Sequence, residues 1–272
     1  MGEPILTNED RRKWQFWEAS CRVYARSGIH AKRVADAMAI VAEMHTHHPD
    51  AYVALSGGKD STAMCFLMAK MGIRPRVVTV HHDMHWPDML PHCKAVCERL
   101  GMAWEVSENA LSWRGFIDAH KSSLDPSESA LGAGGHALRT SRMEAIMVFP
   151  KRWGFPGVYI GLRKDESKGR RMNYAVRGAI YERSEGDARH VVCQPLARWT
   201  TMDVGAFLFT EDAPWLDAYR CCRLHKSPGD IRTGSMIPYE HATRGEVVWM
   251  KTYYPSIFHE LCGLFPSFSA LA

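Results

Sequence analysis

The sequence predicts a Rossmann-like parallel α/β sheet with helical additions at both ends, and three observations carry that expectation. First, the apolar run Tyr52 to Leu55 breaks into Ser56-Gly57-Gly58 and restarts as a helix from Asp60. Second, the apolar runs Arg76 to Val80 and Ala103 to Val106 enclose a helical pattern from Pro91 to Leu100. Strand and helix alternating at such short spacing build right-handed βαβ units. Third, another apolar run, Val158-Tyr159-Ile160, leads into a turn rich in arginine.

The 272 residues suffice for a large core, and the expected division is an N-terminal helical extension over 1–48, a nucleotide-binding α/β domain over 49–200 and a helical region over 201–272. No stretch approaches the length of a membrane-spanning helix, and Met1-Gly2-Glu3-Pro4 lacks a signal-peptide pattern. Leu6 stands where a myristoylation motif has Ser or Thr. The expectation is a cytoplasmic protein with no membrane partner, whose eight cysteines are not a disulfide framework. The net charge of +4 suits an anionic ligand without itself calling for nucleic acid.

From the N-terminus, two helices are expected between Asn8 and Met44, broken near Ser27-Gly28, with Asn8 as the first cap. Trp14, Trp17, Cys21 and Tyr24 recur on one face of the first helix, with Phe16 and Val23 on a flanking strip; Val34, Met38, Ile40, Val41 and Met44 line the second. Trp14, Phe16 and Trp17 are expected to pack on the main domain rather than to form a partner surface. His45, His47 and His48 read as a solvated linker, not a metal site, since no cysteine or carboxylate accompanies them at ligand spacing.

The turn after the first strand has the makings of a phosphate site. Gly57 and Gly58 let backbone N–H groups converge, the following helix points its positive end at the same place, and Lys59 adds a full charge. It is not a Walker A loop, because the position needing the first glycine is Val53. Asp83, at the end of the second strand, is positioned to meet a nucleotide or its magnesium, or simply to cap a turn. His81, His82 and His85 with Cys93 and Cys97 imitate metal ligands, but Val96 and Leu100 mark the cysteine face as core.

Leu111 to Gly135 is irregular, and its Gly132-Ala-Gly-Gly-His-Ala137 run is not a dinucleotide fingerprint because no strand precedes it. A loop over the site is expected there, then a basic helix from Ala137 to Trp153. The second motif runs from Gly161 to Arg171, and between Arg163 and Arg177 six basic residues face two acidic ones. Guanidinium groups at a strand's carboxyl end suit phosphate or sulfate.

Ser56-Gly57-Gly58-Lys59-Asp60-Ser61 resembles the pyrophosphate loop (PP-loop) of the N-type ATP pyrophosphatases, which cut ATP between the α and β phosphates. Gly161-Leu-Arg163, Glu166-Ser167 and Arg170, with Pro195-Leu196, Trp199 and Asp203-Val204, are similar to elements of the phosphoadenosine phosphosulfate (PAPS) reductase-like branch. The resemblance implies an adenine nucleotide alpha hydrolase-like fold, with ATP and Mg2+ as cofactors. Ser56, Gly57, Gly58, Lys59, Asp60, Ser61, Asp83, Arg163 and Glu166 would hold the nucleotide; Lys59, Asp60, Arg163 and Arg170 would act in catalysis; Asp60 and Asp83 would meet the metal. It implies adenylyl transfer from ATP to an unidentified acceptor in sulfur or nucleic-acid modification metabolism, with room for a nucleic-acid or protein partner and for an oligomer. This chain keeps Lys59 and lacks the C-terminal Glu-Cys-Gly-x-His nucleophile of PAPS reductases, which turns the expectation from PAPS to ATP.

Two alternatives stay open: a PAPS-type reductase or sulfurtransferase, and a non-catalytic nucleotide-binding subunit. The first needs a reactive thiol, and Cys221-Cys222 lies between Arg220 and Arg223 near His225, basic neighbours that would lower a thiol's pKa. The competing expectation is one buried cysteine and one exposed bystander. The rest of the distal region reads as helical, with an N-cap at Thr200 and apolar spacing over Val204 to Phe209 and Val247 to Leu264.

Overall fold

A computed structural model describes residues 4–81, 85–108, 154–185, 188–233 and 244–264, with 266 and 269–270. The irregular Leu111 to Gly135 stretch, the expected helix from Ala137 to Trp153, and Asp83 lie outside the described residues.

Two helices open the chain, α1 (Asn8–Tyr24) and α2 (Gly28–His47). Thr7, not Asn8, caps α1. Its hydroxyl accepts from the Asp10 N–H while the Asp10 carboxylate accepts from the Thr7 N–H, a reciprocal box that leaves Asn8 already helical. Ser27 caps α2. This helix runs on through His45 and His47, which are therefore its last turn rather than a linker; His48 is the C-cap.

The sheet has six strands in the order β3-β2-β1-β4-β6-β5. They are β1 (Tyr52–Ala54), β2 (Val77–His81), β3 (Trp104–Glu108), β4 (Gly157–Ile160), β5 (Ile180–Glu185) and β6 (Ala188–Cys193). Pairings from β3 through β6 are parallel, whereas β5 runs antiparallel to β6 as an edge hairpin that the sequence reading did not anticipate. Side chains alternate between faces. Val53, Val77, Tyr159 and Cys193 join the large core, and Tyr52, Val78, Val158 and Val192 form a smaller cluster opposite. Helices α3 (Lys59–Lys70) and α4 (Met89–Leu100) connect the first three strands; α5 (Lys168–Arg177) follows β4 and α6 (Thr201–Thr210) follows β6. Helix α3 is buried along nearly its whole length, as the connection of a buried parallel strand must be.

The terminal segments pack against one another. Trp14 and Trp17 of α1 meet Phe209 of α6 and Trp215 edge-on, with ring centroids 5.3–5.5 Å apart. Phe16 points the other way and is 76% exposed, so the three aromatics do not act together. Asp10, fully buried, accepts from the Arg223 N–H at 2.7 Å and from the Tyr253 hydroxyl at 2.6 Å. Tyr253 ends α7 (Arg244–Tyr253), which α8 (Pro255–Leu264) follows. Thr200 caps α6 in a second reciprocal box with Asp203, whose carboxylate also takes Arg33, His30 and Tyr24 from the N-terminal helices. No helix among the described residues is long and apolar enough to cross a membrane.

Candidate active site

The strand order reverses at β1. The chain leaves it toward β2 and β3 on one side and returns as β4 on the other, so the loops after β1 and β4 flank a crevice at the sheet's carboxyl edge. These loops are the glycine turn and the arginine turn.

In the glycine turn, Gly57 has a left-handed φ of 72°. A Cβ there would lie 2.8 Å from Met89 Cγ, so both backbone and space demand glycine. The turn closes on itself. The Ser56 N–H donates to Ser61 Oγ at 3.1 Å, and Ser61 Oγ donates to the Gly58 carbonyl at 3.0 Å. In the first turn of α3, the N–H groups of Lys59, Asp60 and Ser61 have no carbonyl within the helix to meet. The Lys59 N–H donates instead to the Tyr219 hydroxyl at 2.9 Å. Tyr219 also sets its ring 5.5 Å beneath Lys59 Nζ and shares its hydroxyl with Thr233 at 3.1 Å.

The second turn reaches the first through Asp60. Asp60 Oδ1 accepts from Arg163 Nε, and Oδ2 lies 3.3 Å from Lys59 Nζ. The approach needs Gly161, because a Cβ there would sit 2.8 Å from the Asp60 carbonyl carbon and the Ser61 nitrogen. Arg163 is 3% exposed and also donates to Thr201 Oγ1 at 3.3 Å. Arg163 therefore lies inward, its Nε on Asp60, where it positions the loop from within. Glu166 accepts from the Arg163 N–H at 3.2 Å and from Arg170, while Arg232 donates to the Glu166 carbonyl at 3.0 Å. Arg170 keeps about a third of its side chain open, at 39%. Its pKa is lowered by burial first and then by the neighbouring Arg232, with Asp60 opposing the shift. Behind the loop, Thr62 Oγ1 meets His92 Nε2 at 3.2 Å, and burial lowers the His92 pKa to about 4.

The loop, Arg163, Glu166 and Arg170 thus come together. Tyr219, Thr233 and Arg232 join them from the distal region, and sequence reasoning missed all three. Of the two carboxylates expected to meet magnesium, Asp83 lies outside the described residues. Both Asp60 oxygens face cations, and no group of three His, Cys, Asp or Glu suited to a metal occurs among the described residues.

The expectation of one buried and one exposed cysteine in the thiol pair is corrected. Cys221 and Cys222 are both fully buried, and burial, with Asp10 nearby, raises both thiols, Cys222 to about 11 and Cys221 further. The basic neighbours do not offset this, since Arg220 and Arg223 turn onto the rings of Trp14 and Tyr253. Cys93 and Cys97 are core residues, each raised to about 12 by burial.

A model of the phosphoadenosine phosphosulfate reductase domain matches residues 50–222, more than half of the chain. Sulfate adenylyltransferase subunit 2 of Azospirillum brasilense is 26% identical over 227 residues, covering 75% of this chain and 70% of that protein. The subunit of the same name from Rhizobium meliloti (strain 1021) is 22% identical over 216 residues, covering 71% and 69%. The solved FMN adenylyltransferase of Candida glabrata in complex with ATP is similar with a TM-score of 0.52 at 14% identity, covering 79% of this chain and 68% of that one; this likeness concerns the fold alone. A glycine turn and an arginine turn meeting across a switch point, within a matched span that contains both, mean that the chain belongs to the phosphoadenosine phosphosulfate reductase domain family.

Proposed function

We propose that this protein is an enzyme that binds ATP in the crevice and transfers its adenylyl group to an acceptor, releasing pyrophosphate. The observation that carries the reading is the Ser56–Ser61 turn opening the N-terminus of α3, with Lys59 at its first position and the arginine turn brought against it through Asp60. An acceptor oxygen attacks the α phosphorus, the bond to the bridging oxygen breaks, and the electron pair leaves with pyrophosphate. The turn holds the β and γ phosphates, and Lys59 offsets the charge that grows on the leaving group. Arg170 and Arg232, rather than Arg163, are the cations open to the α phosphate or the acceptor. A magnesium ion entering with the triphosphate would be held by phosphate oxygens, as is usual for this metal.

The relatives named sulfate adenylyltransferase subunit 2 support adenylyl transfer and suggest a subunit of a larger assembly, with a place in sulfur metabolism. A thiol-based sulfurtransferase is less well supported, because both candidate thiols are buried and their pKa values raised. The test is incubation with magnesium-ATP and candidate acceptors, sulfate among them, followed by assay of AMP, adenylylated product and pyrophosphate. Release of pyrophosphate in step with an adenylylated acceptor is expected. Tight ATP binding without pyrophosphate from any acceptor would instead assign a non-catalytic nucleotide-binding subunit.

A further inference from the structure

Helix α5 differs from the other helices of the sheet region in having none of its residues buried. It carries Lys168, Arg170, Arg171 and Arg177 and no carboxylate. Met172 and Val176, one helical turn apart, are 60% and 83% exposed beside these cations. Arg170, on the half-buried side of the helix, bonds Glu166 and ties the start of α5 to the candidate active site, while Lys168 and Arg171 face outward.

Beside α5, the antiparallel edge strand β5 completes a groove. A cavity of about 610 Å3 is lined by Asn173 and Arg177 of the helix and by Tyr181, Glu182, Arg183 and Ser184 of the strand. Two cations lie over rings: Arg177 is 5.3 Å from the centre of Tyr181, and Lys164 is 5.9 Å from that of Tyr174. The Tyr181 hydroxyl accepts from Gln194 at 3.2 Å, which fixes the ring. Arg189, exposed on β6 opposite Ser184, extends the positive edge.

We propose that α5 and the β5 edge form a binding surface for a single-stranded nucleic acid. Cations, aromatic rings and exposed apolar side chains gathered on a helix and the neighbouring edge strand are what a strand requires, phosphates on the cations and base faces on rings and apolar groups. An anionic membrane would also attract the cations, but it is flat. Here the charge borders a polar groove of nucleotide size. The inference goes beyond the adenylyl-transfer reading and does not depend on it.

The test uses the full-length protein and fluorescent 20-mers of single-stranded DNA and of RNA at about 50 mM salt, where phosphate contacts are strong. Binding to one or both is expected, weakening with salt at a log–log slope of about −2 to −3, the value for three or four neutralised phosphates of a single strand. The variant Lys168→Glu/Arg171→Glu/Arg177→Glu should bind at least ten-fold more weakly with a flatter slope, while its melting temperature and ATP titration stay as in the wild type. As a second measurement without substitution, bound 20-mer should protect Lys164 and Lys168 of the wild-type protein from acetylation. Absence of binding to either 20-mer overturns the proposal, as does binding that neither the triple variant nor the footprint traces to α5. Capture by phosphatidylserine vesicles without oligonucleotide binding overturns it in favour of a membrane. An unchanged ATP titration in any of these cases leaves the nucleotide site standing, so the two readings fail separately.

Discussion

Asp60 and Asp203 each grip an arginine from a distant part of the chain, Arg163 and Arg33 respectively, yet they sit in opposite kinds of surroundings. Asp203 is fully buried and its acceptor sites are filled: Oδ2 takes the Thr200 N–H at 2.7 Å, the Thr200 hydroxyl at 2.6 Å and Arg33, and Oδ1 takes Tyr24 and faces His30. Burial alone would raise its pKa, but the hydrogen bonds from His30, Thr200 and Arg33 hold it well below the ordinary carboxylate value. Asp60 shares its cluster with Lys59, Arg163, Arg170 and Arg232, against itself and Glu166. The first cluster is neutralised and closed, so it fastens helices. The second keeps surplus positive charge at a crevice, and that surplus is what a polyphosphate would complete.

The largest effect is expected where the closed cluster is broken. Asp203→Ala removes a cap and leaves Arg33 without its buried partner, and it should cost about 3–5 kcal/mol in denaturant unfolding. At a temperature where the variant is folded, its ATP affinity should match the wild type; a large loss of affinity without loss of stability would erase the distinction between the clusters.

Acid should separate the two regions. The folded-state pKa of His92 lies near 4, below its ordinary 6.5, so the unfolded chain binds the proton first and stability falls from pH 6.5 down to 4, by roughly 3 kcal/mol in all. Asp203, whose folded-state pKa is depressed, keeps its contribution through that range and loses it only as pH falls below about 3.8. His92→Gln should flatten the upper part of the profile and leave the lower part unchanged. A profile that is identical in the variant would remove His92 from the account.

Smaller effects divide the arginines. Arg163→Ala should destabilise by about 2 kcal/mol, less than a fully buried broken pair because Lys59 still faces Asp60, and should weaken ATP binding as well. Arg170→Ala should shift stability by less than about 1 kcal/mol while lowering turnover, since its side chain is partly open to solvent. If Arg163→Ala behaved as the sequence alone suggests, losing activity with no loss of stability, the scaffold role drawn from its burial would be wrong.

What was legible in the sequence was local. Strand, glycine turn and helix at 52–70 are written in consecutive residues, and Gly161 and Arg163 stand directly after an apolar strand, although only the structure places that strand beside β1. The burial of Arg163 was not legible, because it depends on the 2.8 Å approach at Gly161 and on Asp60 lying 103 residues away. Tyr219 and Thr233 could not be found from spacing: they reach the loop through turns in a region whose strongest pattern was helical. The β5–β6 hairpin went unread although Gly178 ends the basic helix and Gly186-Asp187 is a two-residue hairpin signal, because the outer strand, Ile180-Tyr-Glu-Arg-Ser-Glu185, alternates with charged residues and lacks an apolar run. The thiols, weighed as a reactive pair or as one buried and one exposed cysteine, show the same limit. Basic neighbours in sequence lower a pKa only if they stay near the sulfur, and Arg220 and Arg223 turn away onto aromatic rings.

The central claim is that the turn around Lys59 receives the phosphates of ATP, and calorimetric titration of wild type and Lys59→Ala with magnesium-ATP tests it most directly. Lys59 adds the full charge at the start of α3, so its loss should cost about 1.5–3 kcal/mol of binding, a ten-fold or greater rise in Kd, with the fold retained by circular dichroism. Equal affinity in the two proteins would contradict the claim and place the nucleotide, if it binds, somewhere other than the crevice between β1 and β4.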